Sequence, residues 1–496
     1  MAKHVLAIDA GTTGVTCLVV AADGRIAGRG YREIPQHFPR PGLVEHDLLE
    51  ILDAMVHAAR GALVESAVVP DAIGITNQRE TAAIWEREGG RPVARAIVWQ
   101  DRRTADRCAE LRAAGYARLV ADRTGLVIDP YFSATKLEWL IREGRLLERY
   151  RPEQLAAGTI DSWLVWQLTG GAVHATDPTN ASRTMLYDIQ RMEWSDELCA
   201  LFGVPRAMLP EVRPSSGSFG VARRSQLGAD IPITGIAGDQ QSALFGQGCW
   251  EPGEGKNTYG TGAFVLLNAG NSRPRMDNAA EGLLTTLACA ADGSPLYAIE
   301  GSIFVAGAAV QWLRDGLGMI ANAAESEMLA RSLAGNDGVY FVPALTGLGA
   351  PYWEPHARGT IVGITRGTGR AHLARAALES MAYSTVDVLE RMTGAGGVPF
   401  SRLRVDGGAA QNDWLMQFQA DLLGVPVERP SLVETTALGA AGLAGIPAGV
   451  WKSAQDFLAR REFRQFTPKR SRSEAATLLA GWRRAVQAAL GWAREQ

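Results

Sequence analysis

The feature that most constrains this chain is a strand that ends in a glycine- and threonine-rich turn and doubles back as a second strand. Val5-Leu6-Ala7-Ile8 reads as a buried strand that stops at Asp9 and the turn Ala10-Gly11-Thr12-Thr13-Gly14, after which Val15 to Val20 resumes an apolar strand. Asp23-Gly24 supplies the next hairpin turn, so the chain opens as a meander. A P-loop or a dinucleotide fold would instead need a helix after its first strand. The same event recurs at Asn257-Thr258-Tyr259-Gly260-Thr261-Gly262, which runs into the apolar stretch Ala263 to Leu267. The second half thus restarts the first.

Two α/β units follow from that repetition, and 496 residues are enough for each to bury its own core. The Gly-, Pro- and Glu-rich stretch from Gly248 to Gly255 is where a boundary fits, dividing the chain into residues 1–249 and 250–496. Helices interleave with the strands. Leu373, Ala377, Met381, Val388 and Met392 share one face of a helix expected over 371–392, and a shorter helix starts at Asn412, with Leu415, Phe418 and Leu422 inward and Gly424 at its end.

Hydrophobic residues make up 47% of the chain and charged ones 21%, with a net charge of only -3. No window gathers Lys and Arg around aromatic residues, so no nucleic-acid partner is expected. No apolar run reaches bilayer length, so no membrane insertion is expected. The five cysteines, Cys17, Cys108, Cys199, Cys249 and Cys289, are scattered without a Cys-x-x-Cys pair, which fits a reduced, cytoplasmic setting.

The turns carry the first chemical signal. Glycines let backbone N–H groups approach an anion, and the hydroxyls of Thr12 and Thr13 can add hydrogen bonds, as can Thr261 in the second turn. Taken alone, the first turn is as well explained by Asp9 bonding its own backbone. A third turn, Val405-Asp406-Gly407-Gly408-Ala409, leads to the helix at Asn412; its bare backbone at Gly408 could face an adenine ring, while Asn412 could be no more than an N-cap.

Three such turns in this order, together with longer stretches, resemble the FGGY carbohydrate kinases, which share the actin and hexokinase fold. Tyr131-Phe132-Ser133-Ala134-Thr135-Lys136-Leu137-Glu138-Trp139-Leu140 and the segment from Gly359 to Glu379 are similar to that family's signatures. Gly74 to Thr81, Thr124 to Phe132, Thr179 to Leu186, Gly235 to Gln241 and Thr346 to Trp353 are similar to the members that phosphorylate glycerol. The resemblance covers essentially the whole chain. It implies two actin/hexokinase-like (ribonuclease H-like) α/β domains with an active-site cleft between them, and ATP-dependent phosphorylation of glycerol assisted by Mg2+.

By resemblance, Arg79, Glu80, Asp239 and Gln240 hold the polyol hydroxyls, Trp99 and Phe264 pack on its carbons, and Tyr131 belongs to the same wall. Asp239 is the expected general base, and Asp9 is expected to hold magnesium through water. Thr12, Thr13, Thr261, Gly307, Gln311, Gly408 and Asn412 are the expected nucleotide positions. Without the resemblance, Arg79-Glu80 would more often be a solvated pair, Trp99 and Phe264 core, and Asp239 a helix cap. Self-association into a homo-oligomer stays open.

Two positions depart from the family pattern. Seven residues past the turn aspartate, where members phosphorylating glycerol usually carry an arginine, this chain has Thr16, after a Gly14-Val15 pair similar to the xylulose kinases. Before Ile231, members inhibited by fructose 1,6-bisphosphate carry a Gly-Thr-Arg loop, whereas here Gly228-Ala229-Asp230 places an acid that repels a bisphosphate. Two rival readings remain: a kinase for a pentulose or longer polyol, and an actin-like nucleotide switch without small-molecule chemistry.

Overall fold

The computed structural model of the chain describes residues 3–275 and 282–494; the first two residues of the opening apolar stretch lie outside them. The opening strands His4–Ala10, Gly14–Ala21 and Ile26–Glu33 form an antiparallel meander, and Ala72–Asn77 and then Ile231–Gly238 continue the sheet in parallel on its other side. The short strand Val221–Ala222 completes six. In the second half Glu254–Tyr259, Ala263–Gly270 and Pro295–Ile303 repeat the meander, and Arg402–Asp406 and Val427–Pro430 repeat the parallel pair. Leu284–Cys289 and Phe463–Phe466 flank it to make a seven-stranded sheet. The same five-strand order, 3-2-1-4-5, therefore occurs twice, which is the ribonuclease H-like unit.

Alternation along the first hairpin divides its side chains between two cores. Leu6, Ile8, Val15, Cys17 and Val19 face the helix Leu48–Ser66, which buries Ile51, Met55, Ala58 and Ala62 against them. Val5, Ala7, Leu18 and Val20 face the opposite way and pack with Leu438, Ala441, Leu443 and Ala444 of the helix Thr435–Gly445. That helix belongs to the second half of the sequence, yet it covers the first sheet. It can lie so close because its partners are small: a Cβ on Gly74 would stand 2.1 Å from the Ala440 carbonyl oxygen, and one on Gly439 would stand 1.9 Å from that of Ser242.

The helix expected over 371–392 runs Arg370–Gly396, burying Ala377, Met381, Val388 and Met392, with Leu373 half-buried. Asn412 caps the helix Asp413–Leu423, its Oδ1 accepting the Leu415 N–H at 2.9 Å, and Gly424 ends it at φ +68°. All five cysteines are buried thiols. Among the described residues no helix is long and apolar enough to cross a membrane.

Candidate active site

The parallel strands Ala72–Asn77 and Ile231–Gly238 end next to each other and deliver the residues expected to hold the polyol, Arg79 and Glu80 after the first and Asp239 and Gln240 after the second. After Asn77 the chain turns through Gln78, Arg79 and Glu80. Gln78 is anchored to the first hairpin, its backbone N–H donating to Ala10 O at 2.8 Å and its Nε2 to Gly11 O at 3.1 Å. Glu80 sits at φ +62°, a left-handed conformation costly for a non-glycine residue, and Ser133 Oγ donates to its carbonyl at 3.0 Å. The turn that carries Arg79 and the first Gly/Thr turn are thus one braced piece.

Arg79 and Glu80 are nearly inaccessible, at 3% and 1% exposure. The Arg79 guanidinium has carboxylates on both sides. Its Nε lies 3.2 Å from Asp239 Oδ1 and 3.8 Å from Glu80 Oε1, and its Nη1 donates to Glu300 Oε2 at 2.6 Å. Its Nη2 reaches the Tyr131 hydroxyl at 3.5 Å. Burial opposes a charge on Arg79, but Glu300 and Glu80 more than offset it and hold the group charged well above its ordinary range.

Asp239 opens the helix Asp239–Gly246 directly after its strand, and its Oδ1 accepts the Gln240 N–H at 2.6 Å. Its side chain remains 30% exposed, which distinguishes it from the other carboxylates around Arg79. Gln240 accepts a hydrogen bond from Lys256 Nζ, which also donates to Thr258 Oγ1 at 2.9 Å. Burial pushes the Lys256 ammonium down to about 8, although Asp406 and Asp239 favour its charge.

Trp99 donates its indole N–H to Thr12 Oγ1 at 2.9 Å and meets Tyr131 edge-on, with ring centroids 5.7 Å apart. The aromatic wall next to Arg79 is therefore Trp99 with Tyr131. Phe264 lies half-buried on the second hairpin, opposite Thr258 and Ser302, and makes no ring contact with either among the described residues.

Asp9 and Thr16 are cross-strand partners and both are half-buried. Thr16 is therefore not part of the packed face formed by Val15 and Cys17. Among the described residues no donor or cation engages the Asp9 carboxylate; burial, and then the charge of Asp239, push it up to about 7. No cluster of three or more His, Cys, Asp or Glu suited to a metal occurs among the described residues. A lone uncompensated carboxylate fits Mg2+, which keeps several waters and is completed by phosphate oxygens.

The nucleotide-side positions are far more open. Thr13, Thr261, Gln311 and Gly408 are exposed, and Thr12, Gly307 and Asn412 half-buried. The structure brings the second and third turns together. Ala306 and Ala308 donate backbone N–H groups to Thr261 O at 2.8 and 3.1 Å, and Gly307 to Gly260 O at 3.0 Å, seating the helix Gly307–Gln311 on the second turn. Side chains are excluded from this junction: a Cβ on Gly307 would be 2.6 Å from Gly260 O, and one on Gly407 would be 2.3 Å from Tyr259 O. Gly408, by contrast, has open space beside it. Asp230 lies away from these turns, accepting the Arg224 backbone N–H at 2.8 Å.

Sequence reasoning missed Arg183, Glu300 and Lys256. Arg183 lies within the stretch Thr179 to Leu186, but its role was not legible there. Glu300 is the single charge in an otherwise apolar or neutral strand, and that isolation is the signal that could have found it; Lys256 shares its strand with Glu254 and carries no such signal.

Two ribonuclease H-like units in one chain, with the accessible Asp239 carboxylate beside the buried Arg79 guanidinium, are the framework of a two-domain carbohydrate kinase. The chain belongs to the FGGY family of carbohydrate kinases: the model of the family's N-terminal domain matches residues 4–246 and that of its C-terminal domain residues 255–448. Within it, the chain is 51% identical to glycerol kinase 2 of Thermotoga maritima, covering 99% of both chains. It is 53% identical to the glycerol kinase of Dechloromonas aromatica, covering 99% of this chain and 98% of that one. The crystal structure of Plasmodium falciparum glycerol kinase with ADP superposes with a TM-score of 0.93 at 34% identity, over 99% of this chain and 98% of that one.

Proposed function

We propose that this chain transfers the terminal phosphoryl group of ATP to a primary hydroxyl of glycerol, releasing ADP and sn-glycerol 3-phosphate. The observation that carries the reading is the accessible Asp239 carboxylate held beside the buried Arg79 and Glu80, in a chain more than half identical over its length to glycerol kinases. Arg79 and Glu80 offer a forked donor and an acceptor for two hydroxyls, and Trp99 and Tyr131 give the short carbon chain a flat wall. Gln240 and Phe264 complete the polyol set. Asp239 accepts the proton of the attacking hydroxyl as the new O–P bond forms and the bond to the departing ADP breaks.

Thr12 and Thr13 in the first turn and Thr261 in the second offer hydroxyls and backbone N–H groups to the phosphates, while Gly307, Gln311, Gly408 and Asn412 line the nucleoside end. Asp9 would hold Mg2+ through water, and the ion would supply neutralisation of phosphate charge. Residues 1–249 then carry the polyol and the first phosphate turn, and 250–496 most of the nucleotide. The buried thiols support a cytoplasmic location. A pentulose substrate is not favoured, because the relatives more than half identical over the whole chain are glycerol kinases.

The test is ADP release with glycerol, dihydroxyacetone, xylulose, ribulose and erythritol, followed by product analysis. Glycerol should be the best substrate, with the phosphate on a primary hydroxyl. Rapid turnover of a pentulose without phosphorylated glycerol would overturn the assignment.

A further inference from the structure

We infer that Glu300, supplied by the second half of the chain, is a positioning residue that sets the orientation of the Arg79 fork in the polyol site. The inference rests on the glycerol-site reading of Arg79 and extends it to a residue outside the pocket.

Glu300 stands on the strand Pro295–Ile303, fully buried, with Leu266 and Leu284 as its neighbours on the flanking strands. A carboxylate in such surroundings persists only if it is paired. Both its oxygens are taken by guanidinium groups from the first half of the chain. Oε2 accepts Arg79 Nη1 at 2.6 Å, and Oε1 accepts Arg183 Nη2 at 2.9 Å and Arg79 Nη2 at 3.3 Å. Arg183 in turn donates its Nε to Glu80 Oε1 at 2.6 Å. The result is a buried ring of two arginines and two glutamates, with Asp239 joining it at the Arg79 Nε. Burial would raise the Glu300 carboxyl, but Arg183 and Arg79 hold it down to about 2.

The geometry divides the Arg79 guanidinium between two tasks. Glu300 grips its Nη1/Nη2 edge, leaving the Nε edge against Asp239 and Glu80. Rotation of the fork about its stem would break at least one of the Glu300 contacts. Glu300 belongs to the second sheet and Arg79 to the end of a strand in the first, so the placement of the polyol donor follows the placement of the two sheets relative to each other. Arg183 keeps a buried Nη1 without a hydrogen-bond partner among the described residues, so its hold on the cluster runs through its contacts with Glu80 and Glu300.

The experiment compares Glu300→Gln and Glu300→Asp with the wild-type enzyme, each also combined with Arg79→Lys, and measures KM for glycerol, KM for ATP, kcat and Tm. Glu300→Gln should raise the glycerol KM about 10- to 100-fold while the ATP KM stays within about threefold, with Glu300→Asp intermediate. In the Arg79→Lys background the further change at Glu300 should add less than about threefold, because both substitutions act on one contact. If Glu300→Gln does not fold, Glu300→Asp keeps the charge, retracts it by one methylene and reads the same split. Equal shifts in both KM values, or effects that multiply in the double variant, would overturn the inference and leave Glu300 a charge-balancing residue. If the wild-type enzyme ignores glycerol but phosphorylates another polyol, the functional reading fails, and the same split and cycle measured with that polyol still decide the role of Glu300.

Discussion

The two sides of the cleft are built on opposite principles. On the proposed polyol side Arg79, Glu80, Arg183 and Glu300 are buried and pair with one another, and even the turn that carries Arg79 is pinned to the first hairpin. On the nucleotide side the corresponding groups are backbone, hydroxyls and glycines, mostly exposed, and the short bonds join one turn to another rather than fixing side chains. A small triol offers few contacts, so its site must be organised in advance to discriminate. A nucleotide brings enough groups of its own to be bound by a pliant surface of backbone donors. Damage on the first side should therefore cost both stability and chemistry, and damage on the second mainly affinity for ATP.

Asp239→Asn breaks the comparison most severely, because it keeps the shape of the polyol side and removes only its proton acceptor. Turnover should fall by about 100- to 10,000-fold with ATP binding and Tm preserved. A kcat within a few-fold of wild type would remove Asp239 from the role of base. Next in size, Arg183→Met leaves Glu80 and Glu300 short of a buried partner and should cost about 3–5 kcal/mol of stability. Gln311→Ala, on the exposed side, should cost no more than about 0.5 kcal/mol while raising the ATP KM. Denaturant titration of the two variants tests the contrast directly, and equal losses would abolish it.

Titration sharpens the same contrast. Lys136, whose Nζ donates to Tyr131 O at 2.6 Å, is buried, and burial pushes its ammonium from 10.5 down to about 7. Between those values the unfolded chain binds more protons than the folded one, so this residue makes stability rise with pH across that window. Lys136→Met removes that residue's share of the rise, leaving that of Lys256. The stability of wild type relative to Lys136→Met, read from urea midpoints, should increase from pH 6.5 to 9, and parallel curves would show that the ammonium is not held low. The smallest effect is expected at Thr16, which shares a half-buried position with Asp9 beside the first phosphate turn. Thr16→Arg should fold normally and lower the ATP KM by about tenfold at most. A stable variant with unchanged ATP kinetics would separate Thr16 from the phosphates, and a strongly destabilised one would place it in the core.

Much of this was legible in the sequence, and for physical reasons. Strand-turn-strand segments declare themselves locally, through alternating burial, Gly and Thr, and both meanders lie where the hairpin turns put them. The resemblance located Arg79, Glu80, Asp239 and the three turns. What the sequence withheld was pairing over distance. The contacts between Glu300 and Arg79 and between Glu300 and Arg183 span 221 and 117 residues, and nothing in the strand around Glu300 announces its partners. The edge-on contact of Trp99 with Tyr131 was likewise not legible, since 32 positions separate the two rings in the sequence. Most opaque was the helix Thr435–Gly445, whose Ala and Gly content gives it no polar face from which to infer which sheet it covers.

That helix has a consequence for how the protein comes into being. Val5, Ala7, Leu18 and Val20 are synthesised long before Thr435–Gly445, the helix that covers them. At about 5–20 residues per second, the opening sheet waits tens of seconds on the ribosome with one greasy face exposed. During that interval the newborn chain depends on whatever in the cell shields such surfaces, and the two halves, distinct as architecture, mature as one event.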